Sequence, residues 1–452
     1  MLKRRRQQLS VLFKHPAVFW SGEAPSRNFP ANTYPFRANS HFLYFTGYSC
    51  QNAAVCLQGG TLTLYVDEPS EASALWHGPE PSRDAIAQLI GASAAFPLAE
   101  LGSHILGPHI KDAATVLAPD SQTQQRQQAV LGRSVLPAPQ AAGLDRELAI
   151  AITQLRLCHD DAALAEMRQA AAVTVKAHQA GMQATGAATH ESGIRATMEQ
   201  VILAQDMTTA YGSIVTVHGE VLHNHHYYHA IAPGDLLLAD VGAETLSGWA
   251  ADVTRTWPVS GTFSSSQRSL YSVVLAAHDA CIAAVKPGVE YREIHLLAAQ
   301  VMAEGLVDLG ILQGNPTDLV EQDAHALFFP HGVGHLLGLD VHDMEDLGDI
   351  AGYELGRQRS DRFGLGYLRL DRPLQANMVV TIEPGFYQVP AILQNPVWRS
   401  RYQEIVNWDR LAEFADVRGI RIEDDVLVTT TGHEVLTADL PTAIADVEAL
   451  VQ

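Results

Sequence analysis

The residues most able to do chemistry here are carboxylates set in strand-like segments. GDLLLADVG (234–242) and GWAADVTRT (248–256) flank turn residues at 244–248. An antiparallel hairpin centred on Leu246 places Asp240 directly opposite Asp252, with Cβ atoms ~5 Å apart. Two like charges facing each other in an apolar hairpin repel, and a divalent cation offsets that. The plainer alternative is one turn-proximal aspartate and one solvated aspartate. TIEPG (381–385) ends the apolar run MVVTI with Glu383 just before Pro-Gly, where a carboxylate lines a cleft well. In GIRIEDDVLV (419–428), Arg421 and Glu423 are two apart and therefore share a strand face, either as part of a partner network or on a solvated edge. HGVGHLLGLDVHD (331–343) adds His331, His335 and His342. His331 and His335 are four apart, as in zincins, but position 332 is glycine where that motif has glutamate, and Gly332 and Gly334 also disfavour a helix, although a histidine in a glycine-rich loop can approach a metal closely. HNHHYYH (223–229) reads as loop residues rather than a separate histidine metal site, because imidazoles of adjacent residues diverge.

Pooled, Asp240, Asp252, Glu383, Glu423 and His335 form an oxygen-rich donor set. Such a set favours Mn²⁺, with Co²⁺, Fe²⁺ or Zn²⁺ as alternatives, over a structural zinc site. Bridging carboxylates in a set of five suit two divalent metal ions ~3.5 Å apart.

The elements that must hold these residues are legible in outline. A helix opens near Asp160-Asp161, with Leu164, Met167, Ala171, Val175, His178 and Met182 on one face and Gly186 near its end. Helices are expected at 269–286 and 291–309, and strands around 234–242, 249–257, 378–383 and 419–429. Upstream, AAVCLQ (53–58) and TLTLYVDE (61–68) flank Gly59-Gly60 as a hairpin. The stretch 135–143 (VLPAPQAAG) marks a boundary region, and the expected domains are 1–159 and 160–452. The chain has 452 residues and a formal charge of −20, which argues against nucleic-acid binding or an anionic membrane surface. Four dispersed cysteines without CxxC read as reduced thiols of a cytoplasmic protein. The run Lys3-Arg4-Arg5-Arg6 mimics a signal-peptide n-region, but Lys14, His15 and Pro16 interrupt the apolar stretch after it, and no apolar stretch is long enough to span a membrane.

In their order, the segments LLLADVGAE, ADVTRTWPVSG, HGVGHLLGLDVHD, TIEPGFY and GIRIEDDVLVT resemble the pita-bread metallopeptidases, most closely aminopeptidase P and prolidase. YPFRANSHFLYFTGY (34–48), LWHGPEPSRDA (75–85) and LAEMRQAAAVTVKAH (164–178) extend the resemblance over nearly the whole chain. It implies a creatinase-like α/β N-terminal domain and an α+β C-terminal pita-bread catalytic domain. The implied activity is that of a dinuclear Xaa-Pro aminopeptidase, acting on peptides with penultimate proline and forming a homo-oligomer (dimer or tetramer). It also implies roles. Asp240 chelates one ion, His335 and Glu383 the other, and Asp252 and Glu423 bridge. Glu383 serves as general base. His223, His331 and His342 are active-site histidines, and Arg421 supports the carboxylates. Tyr211 and Tyr387 lie near the substrate. Trp76 is either an aromatic wall for proline or a core residue.

Two departures bear on substrate length. The stretch between Tyr211 and His223 is about two residues shorter than the aminopeptidase P pattern. The segment 344–377 is longer, and its YLRLDRPL resembles prolidase, a dipeptidase that needs a cation for the substrate carboxylate. Arg357, Arg359, Arg362, Arg369 and Arg372 are candidates for that cation. The N-terminal match outweighs one insert, so the expected activity is the aminopeptidase. A metal-free creatinase-like enzyme and a non-catalytic binding module are the other rivals, and both would be expected to lose ligands that are all present here.

Overall fold

The computed structural model describes residues 1–105 and 113–451. The chain divides into two compact units, one of Met1–Leu157 with Met344–Ala351, the other of Cys158–Asp343 with Gly352–Gln452. The Pro-rich stretch at 135–143 lies inside the first unit, where Ala138–Gln140 form a 3-10 turn.

The first unit is built on a mixed five-stranded sheet. Its central strands β1 (Ala17–Trp20), β2 (Ala54–Gln58) and β3 (Thr61–Tyr65) are antiparallel. Short strands at Ala94–Phe96 and Ala114–Thr115 add parallel edges. The expected hairpin is there: Gln58 pairs with Thr61, and Gly59 and Gly60 both take positive φ (56° and 82°), as a tight two-residue turn requires.

The basic run near the N-terminus has a structural use. It lies in helix α1 (Leu2–Leu12), where Arg5 and Arg6 are buried. Arg6 donates to the carbonyls of Phe45, Ile90 and Gly91, at the C-terminal ends of helices α2 (Ser40–Thr46) and α3 (Arg83–Ile90). One guanidinium thus serves two sets of otherwise unpaired helix-end acceptors, with its charge against the negative ends of both dipoles.

In the second unit, a long helix α4 (Asp161–Ala184) opens on Asp160, whose side chain accepts the N–H of Ala163. It and helices α5 (Ser265–Ala284) and α6 (Tyr291–Asp308) cover the strands that carry the site. The shared apolar core includes Val175 and Met182 of α4, Tyr271 and Val274 of α5, Met302 and Leu306 of α6, and Leu237 and Trp257 of the strands. Those strands are β4 (Leu236–Asp240), β5 (Thr254–Pro258), β6 (Val379–Ile382), β7 (Gly385–Tyr387), β8 (Gly419–Arg421) and β9 (Asp424–Val428). Among the described residues, no helix is long and apolar enough to cross a membrane.

Candidate metal centre

The hairpin forms, but its register differs from the expected one by two residues. Asp240 pairs with Thr254, not Asp252, and the turn runs from Thr245 to Trp249 around Gly248 (φ 92°) rather than around Leu246. A two-residue slip leaves every side chain on its original face. Asp240 and Asp252 are therefore diagonal neighbours on one face instead of a direct pair. Tyr211 joins them: its hydroxyl lies 2.5 Å from Asp240 Oδ1 and 2.6 Å from Asp252 Oδ1. Gly242 makes this approach possible, since a Cβ there would sit 1.8 Å from the carbonyl oxygen of Ala251 and 3.0 Å from the Tyr211 ring.

The two glutamates come from a second antiparallel pairing, which is interrupted. Ile382 pairs with Asp424 in one ladder and Gly385 with Arg421 in the next, so one register runs through both and Glu383 faces Glu423 at the break. Pro384 has no N–H to give, which is one reason the ladder opens there. The freed donors find other partners: Glu383 N–H reaches Val333 O at 2.8 Å, and Glu423 N–H reaches Thr254 O at 3.0 Å. This second bond ties the glutamate strand to the aspartate hairpin.

His335 is laid along β6 by a further set of bonds. Thr381 N–H donates to His335 O, and Thr381 Oγ1 accepts the His335 N–H. Gly334 must be glycine, because a Cβ would come within 2.2 Å of both Thr381 O and the Tyr291 hydroxyl. The His335 Nδ1 lies 3.0 Å from Leu336 O, which holds its proton, so Nε2 is the nitrogen that faces Asp252 Oδ2 (3.3 Å) and Glu383 Oε1 (3.5 Å) and offers a lone pair there when the imidazole is neutral.

Four carboxylates and one imidazole lone pair therefore converge in a buried space. Donor atoms of Asp240, Asp252 and Glu423 lie within 4.8 Å of one another, as do those of His335, Glu383 and Glu423 and those of Asp252, His335 and His342. Burial first, and then Asp240, push Asp252 up to about 7. Burial and Asp252 push Glu383 up to about 7 against the pull of His335 and Arg421, and Glu423 is driven well above its usual range by burial and Asp252. Arg421 supplies a cation, donating to Asp240 Oδ2 at 2.6 Å and to the Tyr387 hydroxyl at 3.0 Å. Ionising all four acids against one guanidinium would leave a negative excess, and a neutral imidazole nitrogen facing two ionised carboxylates is repulsive without a cation between them. The donor set fits divalent metal ions.

The remaining histidines ring this cluster. His331 Nδ1 bonds Gly332 O, its Nε2 lies 2.9 Å from the Tyr387 hydroxyl, and Glu383 Oε2 is 3.7 Å from Nδ1. Burial and then Arg421 push His331 down to about 3, so it is neutral. The His342 ring packs edge-on to His335 at 4.3 Å. His223 lies on an exposed loop, where desolvation and then the fields of Arg421 and Asp240 act on it, lowering its pKa on balance. Its neighbours in HNHHYYH go elsewhere: Asn224 bonds Thr216, and His229 pairs with Glu191.

Of the five candidate arginines, four tie the insert down. Arg357 pairs with Glu290 and Asp371, Arg359 donates to Leu368 O, Arg362 to Asp323, and Arg372 to Tyr353 O. Arg369 donates to a site residue, His342 Nδ1, at 2.9 Å. Trp76 stands on the helix Glu71–His77 of the first unit and is 80% exposed, so the core reading fails. Sequence reasoning passed over Thr254, Thr381 and Asp425, which hold Glu423, His335 and Asp252 respectively.

The chain belongs to metallopeptidase family M24, whose model matches residues 165–430. Residues 2–117 match the aminopeptidase P N-terminal domain. Xaa-Pro aminopeptidase 2 of Streptomyces coelicolor is 33% identical over 98% of this chain and 89% of its own length. Among solved structures, Pseudomonas aeruginosa aminopeptidase PepP superimposes with TM-score 0.82 at 28% identity, over 100% of this chain and 97% of that one. Aminopeptidase P from E. coli, with the inhibitor Pro-Leu, gives 0.81 at 26% identity, over 100% and 97%. The expected creatinase-like N-terminal domain and pita-bread catalytic domain are the fold these matches define.

Proposed function

We propose that the protein is a metal-dependent Xaa-Pro aminopeptidase, releasing the first residue of peptides with proline in second position. The observation that carries the reading is His335 Nε2 directed at the carboxylates of Asp252 and Glu383. The proposed ligands are Asp240, Asp252, His335, Glu383 and Glu423, holding two ions per chain. An oxygen-rich set with one imidazole favours Mn²⁺. When bound, such ions lower the pKa of a shared water and polarise a carbonyl oxygen.

The chain's own groups do the rest. Glu383 takes a proton from the attacking water and delivers it to the proline nitrogen as the scissile C–N bond breaks. His223 and His342 donate to carbonyl oxygens of the substrate. Neutral His331 and Tyr387 relay the fixed position of Arg421 to the Glu383 side of the cleft. Tyr211 keeps the two aspartates on one hydroxyl. The catalytic domain is residues 160–452 and the N-terminal domain residues 1–159, with Trp76 as the aromatic wall for proline. The Pro-Leu inhibitor of the E. coli relative begins with the residue that would follow the cleaved bond. The four unpaired cysteines favour a reducing, cytoplasmic setting, and assembly as a homo-oligomer is part of the same reading.

Substrate length tests it. Xaa-Pro tripeptides and tetrapeptides should be cleaved with higher kcat/KM than the Xaa-Pro dipeptide. Turnover of the dipeptide alone, weakened by Arg369→Ala, would make the enzyme a prolidase.

The titration of the cluster gives a second test. Unfolded carboxyls ionise near ~4, whereas Asp252 and Glu383 hold their protons in the metal-free fold to about 7. Across that window the folded state binds more protons, so the cluster's contribution to stability falls as pH rises. Cations reverse this by displacing the protons. The Tm gained on adding Mn²⁺ should therefore be larger at pH 7.5 than at pH 5. An equal gain at both would contradict the assignment.

A further inference from the structure

Glu423 is followed by two more acids, Asp424 and Asp425, all three buried. A strand sends successive side chains to opposite faces, so the run is divided. Asp424 turns away from the ligands and pairs with Arg255 and His278. Asp425 shares the ligand face with Glu423, opposite Thr381 in the β6–β9 ladder.

Asp252 lies where the hairpin ladder leaves its peptide group facing outward. Its neighbours Ala251 and Val253 bond to Ala243 and Val241 across the hairpin, so the Asp252 N–H points the other way. Two residues along, the same outer edge of β5 is met by main chain, Glu423 N–H to Thr254 O. At Asp252 a side chain takes over: both carboxylate oxygens of Asp425 lie 3.2 Å from the Asp252 nitrogen. The Asp425 carboxylate accepts no other hydrogen bond among the described residues, and a buried N–H left without an acceptor is destabilising.

We propose that Asp425 is a positioning residue that sets the ligand Asp252 by holding its peptide N–H. Thr381, its cross-strand partner, holds the peptide of His335 in the same manner, so one pair of facing residues fixes a ligand on each side. The inference rests on the metal-centre reading above.

The test is Mn²⁺ affinity of demetallated protein by calorimetry, with folding checked by circular dichroism. Asp425→Ala should weaken Mn²⁺ binding on the order of 10–100-fold, the usual effect of losing a group that orients a ligand. Asp425→Asn keeps one acceptor oxygen and should recover most of that loss. Wild-type affinity in Asp425→Ala, or an asparagine variant as weak as the alanine one, would overturn the proposal. If wild type itself binds no Mn²⁺, the metal-centre reading fails instead. Should the alanine variant not fold, hydrogen exchange of metal-free wild type decides: the Asp252 amide should exchange slowly, and fast exchange would overturn the assignment.

Discussion

Chelation should abolish peptidase activity, Mn²⁺ should restore it, and Asp252→Asn should prevent the restoration. Asp252 is the residue on which the other groups converge. It shares Tyr211 with Asp240, faces His335 Nε2 at 3.3 Å, and belongs to two of the three ligand groups. Asparagine keeps the volume but removes a charge and turns one coordinating oxygen into an amide nitrogen that cannot ligate. Metal content should fall below the two ions per chain expected of wild type, and kcat/KM should drop on the order of 100-fold or more. Asp67 is the control: it caps the Leu98 N–H in the first unit and is a member of none of the ligand groups, and Asp67→Asn should leave metal content unchanged. An Asp252→Asn protein that carries two ions and turns over like wild type would refute the dinuclear reading.

Asp240 and Asp252 were legible as a pair because an apolar hairpin with one acid per strand is a local pattern. Their register was not, because the turn centre depends on where a positive-φ residue falls, and Gly248 moves it toward the second strand. The error was harmless only because it was an even number of residues. Glu383 and Glu423 were each recognisable from their motifs. That they face each other across a broken ladder depends on the pairing of strands forty residues apart in the chain, which no local signal encodes. The same limit applies to the insert arginines. Their number suggests a carboxylate site, whereas most of them bind the insert's own carbonyls and acids, and Arg369 donates to His342. Trp76 is exposed and not part of the core. An aromatic residue in a short polar helix carries no periodicity from which its burial can be read. The acids after Glu423 did carry a signal: three consecutive acids in an apolar strand must occupy both faces, so at least one must be buried against a partner.

Arg421→Ala should give the largest stability loss of any substitution in the centre. The guanidinium is buried and reaches Asp240 Oδ2, Thr254 Oγ1 and the Tyr387 hydroxyl with three different nitrogens. Burial alone would lower its pKa, but Tyr387, Asp240 and Glu423 outweigh that and raise it, so the guanidinium stays charged. Removing one partner of a buried pair leaves the other charge uncompensated, a loss of about 3–5 kcal/mol. Denaturant melts of the metal-free protein at pH 7.5 should show that loss. The loss should shrink at pH 5, where Asp252 and Glu383 carry protons and the cluster needs less positive charge. It should also shrink with Mn²⁺ present, since bound cations take over part of the compensation. Arg421→Lys should recover little, because one ammonium cannot span the three acceptors that the planar fork reaches. Activity adds a separate check. Arg421 fixes Tyr387, and Tyr387 fixes His331, so the metal-loaded alanine variant should lose kcat even at saturating Mn²⁺. If Arg421→Ala melts at the wild-type denaturant concentration in the absence of metal, the four carboxylates do not depend on this cation. The electrostatic account of the centre would then be wrong.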